Sequence, residues 1–188
     1  MKRVIRWPIA VLFAASLAAA LSDYQAAKQK FDRIESDQLR AGSRIELNAG
    51  ELTAWVEHEL PDITGGVRDP RLELVAAGVA RGTAVVDFAK VRASQGHPPG
   101  FLMQKLLEGE HPVSVTCRIR SAQGQATVDV QRVEIAGLEI EGRTLDFLVH
   151  NFLSPLYPNA VIGQPFELGH RIEKLDVQPR AVGVVIGR

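Results

Sequence analysis

The feature that most constrains the fold is a strict alternation of apolar and polar residues over residues 113–120. The apolar positions are Val113, Val115, Cys117 and Ile119, and the residues between them are Ser114, Thr116, Arg118 and Arg120. A period of two predicts a β-strand with one buried and one solvated face. Gly124 closes a turn that returns the chain into a second apolar segment, which predicts an antiparallel hairpin.

The returning segment, residues 125–140, changes its phase once. The apolar residues up to Val130 keep one phase, and those from Val133 onwards keep the other. A slip of one residue at Gln131-Arg132 predicts a β-bulge, and bulges bend sheets. The sequence therefore predicts a curved sheet with one apolar face.

Other short strands are separated by turns and follow one another as hairpins. They are predicted over 44–47, over two parts of 71–88 divided at Ala77-Gly78, and over 172–177 and 181–187. Asn48 and Glu51 form a variant of the capping box, so a helix is expected to begin there. The pattern predicts an α+β fold, a curved antiparallel sheet packed on an apolar helix, and not a doubly wound parallel sheet.

A late helix, predicted over residues 143–154, has the widest apolar face in the chain. Its apolar residues recur at intervals of three and four: Leu145, Leu148, Val149, Phe152 and Leu153, with Leu156 extending the row. The dry face of a curved sheet must be covered, and this helix is the predicted cover. A shorter apolar segment, 101–109, supplies Phe101 and Leu106.

The first 22 residues predict export. Lys2, Arg3 and Arg6 precede the uncharged apolar run 7–21, which small residues follow, and this is the order of a secretory signal. The run falls short of the roughly 20 residues that a spanning helix needs. Cleavage and retention as an inner-membrane anchor both remain open, and either gives a periplasmic or other extracytoplasmic location.

Residues 23–42 predict an amphipathic helix, because Tyr24, Ala27, Phe31 and Ile34 recur at intervals of three and four among mixed charges. This helix could dock on the domain or act as a charged stalk. The predicted organisation is thus a signal or anchor over 1–22, a helical stalk over 23–42, and one α+β domain over 43–188.

No motif for catalysis, metal or a cofactor stands out. Twenty-two basic residues balance 22 acidic ones, so nucleic acid is not an expected partner. Cys117 is the single cysteine, which excludes an intramolecular disulfide, and its phase predicts a small buried residue. The five histidines have no metal-binding spacing, and Glu139 and Glu141 belong to a solvated strand face. We therefore expect a protein that is not an enzyme.

What remains is apolar surface, and two functions fit it. A curved sheet over a helix, with few bulky aromatics, leaves room for an acyl chain, so phospholipid or another acyl lipid is one expected ligand. The expected lining residues are Leu145, Leu148, Val149, Phe152, Leu156, Phe101 and Leu106. The alternative is a structural or interaction protein of the envelope, with a fully packed core and an envelope protein as its partner.

The order of these parts resembles that of the exported LmeA-type phospholipid-binding proteins and related small tubular lipid-binding (TULIP-like) domains. The segments that carry the resemblance are RIELNAGELTAWVEHELP, RGTAVVDFAKV, VSVTCRIRSAQGQATVDVQRVEIAGLEI and PFELGHRIEKLDVQPRAVGVVIG. Leu47, Asn48, Asp87 and Phe88 match by position, whereas Arg143-Thr144 replaces a proline that is frequent in that group. The resemblance implies a TULIP-like half-barrel and a lipid-binding role in the cell envelope.

Overall fold

A computed structural model describes the backbone of residues 9–94, 109–153 and 161–188, with side chains for 21–60, 65–93, 109–151 and 161–188. Its helices are α1 Ile9–Glu35, α2 Ala49–Thr64, α3 Phe88–Ser94 and α4 Gly142–Leu148, which continues as the π-helical turn Val149–Leu153. Its strands are β1 Arg44–Asn48, β2 Val67–Ala76, β3 Val79–Val86, β4 His111–Ala122, β5 Gln125–Ile135, β6 Leu138–Glu139, β7 Phe166–Glu167, β8 Ile172–Val177 and β9 Ala181–Ile186.

The larger sheet confirms the predicted antiparallel pairing. Its strand order is β2-β3-β4-β5-β6, and β7 pairs with the start of β5. The register between β4 and β5 shifts where Thr116 faces Arg132 and Cys117 faces Val130, so Gln131 is the extra residue. The bulge therefore lies where the change of phase predicts it, and it keeps the apolar residues on both sides of Gln131 on one face.

The smaller sheet has the order β1-β9-β8 and meets the turn end of the larger sheet. The Gly78 amide donates to the Val177 carbonyl at 2.9 Å, and the Gly124 amide donates to the Glu173 carbonyl at 2.8 Å. The Ser121 hydroxyl also bonds both backbone groups of Leu175. These bonds hold strand β8 against the β2–β3 and β4–β5 turns.

Helix α2 begins with the predicted capping box. The Glu51 amide donates to Asn48 Oδ1 and the Asn48 amide donates to Glu51 Oε2, both at 2.9 Å, which satisfies two amides at the helix start. Leu52 follows in the first turn and packs against apolar residues of both sheets. Helix α2 therefore packs on both sheets, in addition to the bonds that join β8 to the larger sheet.

Helix α1 packs on this core. Ala27 and Ile34 are buried against the smaller sheet, and Phe31 packs with them. Lys30 forms an ion pair with the buried Glu51 of α2. Over the described parts of the chain, no helix combines the length and the apolar character needed to cross a bilayer.

One hydroxyl group of α2 forms two hydrogen bonds with the backbone of the edge strand β2. Thr53 Oγ1 donates to the Leu72 carbonyl at 3.1 Å and accepts from the Leu72 amide at 3.2 Å. Both outward backbone groups of Leu72 are thereby satisfied by a side chain in place of another strand.

The late helix differs from its prediction. It is α-helical only to Leu148, α4 contains no buried residue, and among the described residues α2 and α3 provide much of the cover expected from it. The Asn151 side chain donates to the Phe147 carbonyl at 2.8 Å, the carbonyl that its own amide would bond in an α-helix. This competition gives a physical reason for the π-helical turn, because the side chain replaces the usual backbone donor.

Candidate functional site

The candidate site is the apolar face of the larger sheet, which we call the dry face. Gly82 of β3 lies opposite Val115 of β4, and Val115 lies opposite Val133 of β5. Residues that lie directly opposite each other on neighbouring strands project to the same face of a sheet. These three positions therefore form a row across the dry face. The row lies midway along the strands.

One end of the dry face is covered by α2 and the smaller sheet. Leu74, Ala80 and Val177 are buried there, with further apolar residues packed around them: Ala49, Leu52, Leu72, Cys117, Ile119 and Val182. Burial raises the pKa of the Cys117 thiol, as expected for a thiol in apolar surroundings. The prediction that Cys117 lies on the apolar face is confirmed, although the residue is half-buried.

The other end of the dry face is covered by α3 and by one residue of α4. Phe88 and Val91 of α3 are buried, and Leu148 packs against them. The strand residues beneath this cover are Val67, Val86, Val113 and Ile135. The two covers are separated along β4, because Val113 contacts one and Cys117 contacts the other.

Between the two covers lies a strip that we call the central gap, around Gly82 and Val115. Among the described residues, a Cβ built on Gly82 would find within 4 Å only the Arg71 carbonyl oxygen, at 4.0 Å. Val115, Val128 and Val130 are half-buried and belong to none of the three clusters formed by described residues. The strip between Val113 and Cys117 is about 13 Å long at the usual strand rise.

Val133, at the β5 end of the row, is buried, so the open part of the strip lies over β3 and β4. In the sequence, Gly82 interrupts the apolar residues of the segment that forms β3. An isolated glycine in an apolar phase can also mark a place where another molecule approaches the sheet, and that is the signal that could have found this position.

The predicted lining residues lie only in part near this gap. Leu148 is half-buried at the α3 end, and Leu145 and Val149 are half-buried on the same helical segment. The Phe152 side chain, and the whole of Phe101, Leu106 and Leu156, lie outside the described residues. The structure therefore brings Leu148 to the end of the dry face.

Three open clefts lie elsewhere on the described surface and have mixed linings. A cleft of about 420 Å³ contains Arg68, Asp87, Lys90 and Glu110 among its lining residues. Others, of about 770 Å³ and 310 Å³, lie beside Arg171 at the chain end and over the charged sheet face near Thr83. Acyl chains require apolar walls, so these clefts are poorer candidates than the dry face.

The charged groups of the 420 Å³ cleft are engaged with one another. Arg68 Nη2 lies 2.7 Å from Glu110 Oε2, and Lys90 Nζ lies 3.1 Å from Asp87 Oδ2. Burial raises the pKa of Asp87, but the amide and side chain of Lys90 outweigh burial, so this pKa lies below its ordinary value. Among the described residues, no three His, Cys, Asp or Glu side chains are grouped so as to hold a metal.

The four residues that carry the resemblance have structural roles in this chain. Asn48 caps α2, and Asp87 accepts from the Lys90 amide at 3.0 Å at the start of α3. Leu47 and Phe88, beside these caps, are buried in two different clusters. At each helix start, a polar residue caps the helix and the apolar residue next to it is buried. Together they fix the position of the helix against its sheet.

Comparison of the chain with protein-family models, curated proteins and solved structures gives no match, so the resemblance stands on the quoted residues alone.

Proposed function

We propose that this chain is an exported, non-catalytic protein of the cell envelope that binds a phospholipid or another acyl ligand on the dry face of its larger sheet. The acyl chain would lie over Gly82 and Val115, with Leu148 at one end of its path. The apolar N-terminal run directs the chain out of the cytosol and attaches it to, or releases it near, the membrane. A TULIP-like curvature of the sheet is part of this proposal.

The observation that carries the proposal is the central gap. Each end of the dry face has a cover of described apolar side chains, whereas in the middle the valines are half-buried and no described side chain lies within 4 Å of the Gly82 Cβ position. An apolar strip of this kind is unfavourable in water and favourable against an alkyl chain. Burying a dozen methylene groups would contribute roughly 10 kcal/mol before the costs of association.

The test fills the gap without disturbing the charged face of the sheet. Gly82 has no positive φ, so leucine can be accommodated by the backbone, and its side chain would occupy the strip beside Val115. Thr83→Leu is the matched control, because it adds a similar side chain to the same strand on the opposite face. The parent and both variants are produced by export in cells and examined by native mass spectrometry.

We expect a lipid mass on the parent protein and on Thr83→Leu, and its loss from Gly82→Leu with an unchanged far-ultraviolet circular dichroism spectrum. Retention of the same lipid by Gly82→Leu would contradict binding over the central gap. If the parent carries no lipid and Gly82→Leu destabilises the fold by overpacking, the chain has a filled core and the alternative of an envelope interaction protein gains support.

A further inference from the structure

Helices α1 and α2 are antiparallel neighbours, and their contacts fix where the N-terminal run leaves the domain. Lys30 contacts Glu51 near the start of α2, and the Tyr24 hydroxyl donates to Glu59 at 3.0 Å near its end. Leu21 lies about 4–5 Å beyond Tyr24 along the helix axis at the usual rise per residue. Along the axis of α1, Leu21 thus lies beside the last turns of α2.

The last turns of α2 also mark one end of the larger sheet, which we call the α3 end. The Asp87 amide, just after β3, donates to the Gly66 carbonyl, just before β2, at 2.8 Å. Strand β4 begins and β5 ends at the same level, because His111 pairs with Val86 and Val113 pairs with Ile135. Helix α1, which is continuous from Ile9, therefore projects its apolar half from the α3 end.

Large apolar side chains are exposed at this same end. Leu138, which pairs with Ile135, is 70% exposed, and Phe147, the neighbour of the cluster residue Leu148, is 38% exposed. Leu21 on α1 is 55% exposed. Exposed apolar groups at the end of the domain from which an apolar helix projects favour contact with another apolar phase.

Two basic residues at the α3 end are paired with carboxylates. Arg68 contacts both Asp69 and Glu110, and Lys90 contacts Asp87. The exposed apolar groups at this end can contact lipid without any charge on the headgroup.

We infer that the α3 end of the sheet rests on the bilayer that holds the N-terminal run, with Leu138 and Phe147 entering the interfacial layer. The lipid bilayer is the partner, and its contact is apolar, so zwitterionic lipid is sufficient. The inference rests on the proposed envelope location. It also directs the α3 end of the central gap, beside Leu148, towards the membrane from which an acyl ligand would come.

The test measures contact with lipid position by position in the full chain. In a Cys117→Ala background, Leu138→Cys, Phe147→Cys and Val75→Cys are each labelled with a small fluorophore and reconstituted into phosphatidylcholine vesicles. The vesicles contain phosphatidylcholine with bromine on its acyl chains as the quencher. Val75 is the matched control, because it is an exposed apolar residue, 45% accessible, at the β2–β3 turn at the opposite end of the sheet.

We expect loss of fluorescence at positions 138 and 147 and none at position 75. Equal quenching at all three positions, or none at 138 and 147, overturns the inference. Repeating the measurement with Gly82→Leu separates it from the proposed function: quenching by the bilayer persists when the central gap is filled, whereas quenching by a lipid bound in the gap disappears. Persistence therefore supports the membrane surface even if lipid binding in the gap fails.

Discussion

Replacing Lys30 by methionine tests whether α1 is an integral part of the domain. Lys30 Nζ lies 2.5 and 2.7 Å from the two carboxylate oxygens of Glu51, which is 5% exposed. Methionine keeps much of the apolar stem and removes the charge. The buried carboxylate then keeps its bond from the Asn48 amide, at 2.9 Å, but loses its counter-charge.

The size of the effect follows from burial. Two unit charges about 3 Å apart attract by roughly 5–6 kcal/mol at an effective dielectric constant of about 20. Removing one partner of a buried pair costs about 3–5 kcal/mol. Because the Lys30 side chain is 30% exposed and water screens part of the attraction, we expect Lys30→Met to lower the free energy of unfolding by about 2–3 kcal/mol. The midpoint of thermal unfolding would fall by roughly 4–12 °C.

Urea unfolding of residues 21–188 provides the assay. Trp55 is the one tryptophan in this segment, and its ring lies 4.4 Å from that of Phe31, so its fluorescence reports on the α1–α2 contact. Lys28→Met is the control, because Lys28 and its partner Asp32 are both more than half exposed. Equal, small effects of the two substitutions would refute the reasoning. If Lys30 and Glu51 stabilise the fold as a pair, the double variant Lys30→Met, Glu51→Gln should lose less free energy of unfolding than the two single variants lose together.

Two further predictions concern the dry face and its surroundings. Gly66→Ala should lower the free energy of unfolding by about 1–3 kcal/mol, because its Cβ would lie 2.6 Å from the Asp87 carbonyl oxygen and 2.7 Å from the Val91 amide. Gly82→Ala should cost far less, because among the described residues its Cβ would have only the Arg71 carbonyl oxygen within 4 Å, at 4.0 Å; equal losses in urea unfolding would contradict this account. The Cys117 thiol should react with a maleimide more slowly than in the unfolded chain, because burial raises its pKa and limits access, and an added acyl lipid should slow it further. An unchanged rate with lipid would place the ligand elsewhere.

Local sequence patterns predict those parts of the fold that are decided by residues close together in the sequence. The alternation around Cys117, the bulge at Gln131 and the cap at Asn48 each involve backbone geometry within a few residues, and the structure has all three where they were predicted. The hairpin formed by β8 and β9 follows the same rule. In each case the hydrogen bonds that decide the conformation are local or join adjacent strands.

Contacts between distant segments were less accessible to sequence reasoning. The thin apolar stripe of α1 does not reveal that Lys30 neutralises a buried carboxylate 21 residues away. The wide stripe of the late helix predicts a cover, but which helix covers the sheet depends on the tertiary arrangement, in which Leu52 lies between both sheets. The glycine at position 82 is visible in the sequence, but the arrangement of covers on either side of it depends on contacts between distant segments.

The bond between Thr53 and Leu72 has a consequence for how copies of this protein behave at high concentration. A terminal strand with free amides and carbonyls can recruit a strand from a neighbouring molecule, and that association can propagate into fibres. Here one hydroxyl occupies both groups of Leu72. A second molecule would have to displace α2 before it could add a strand to the sheet at this point. Helix α2 therefore blocks polymerisation through this edge as well as packing on the core.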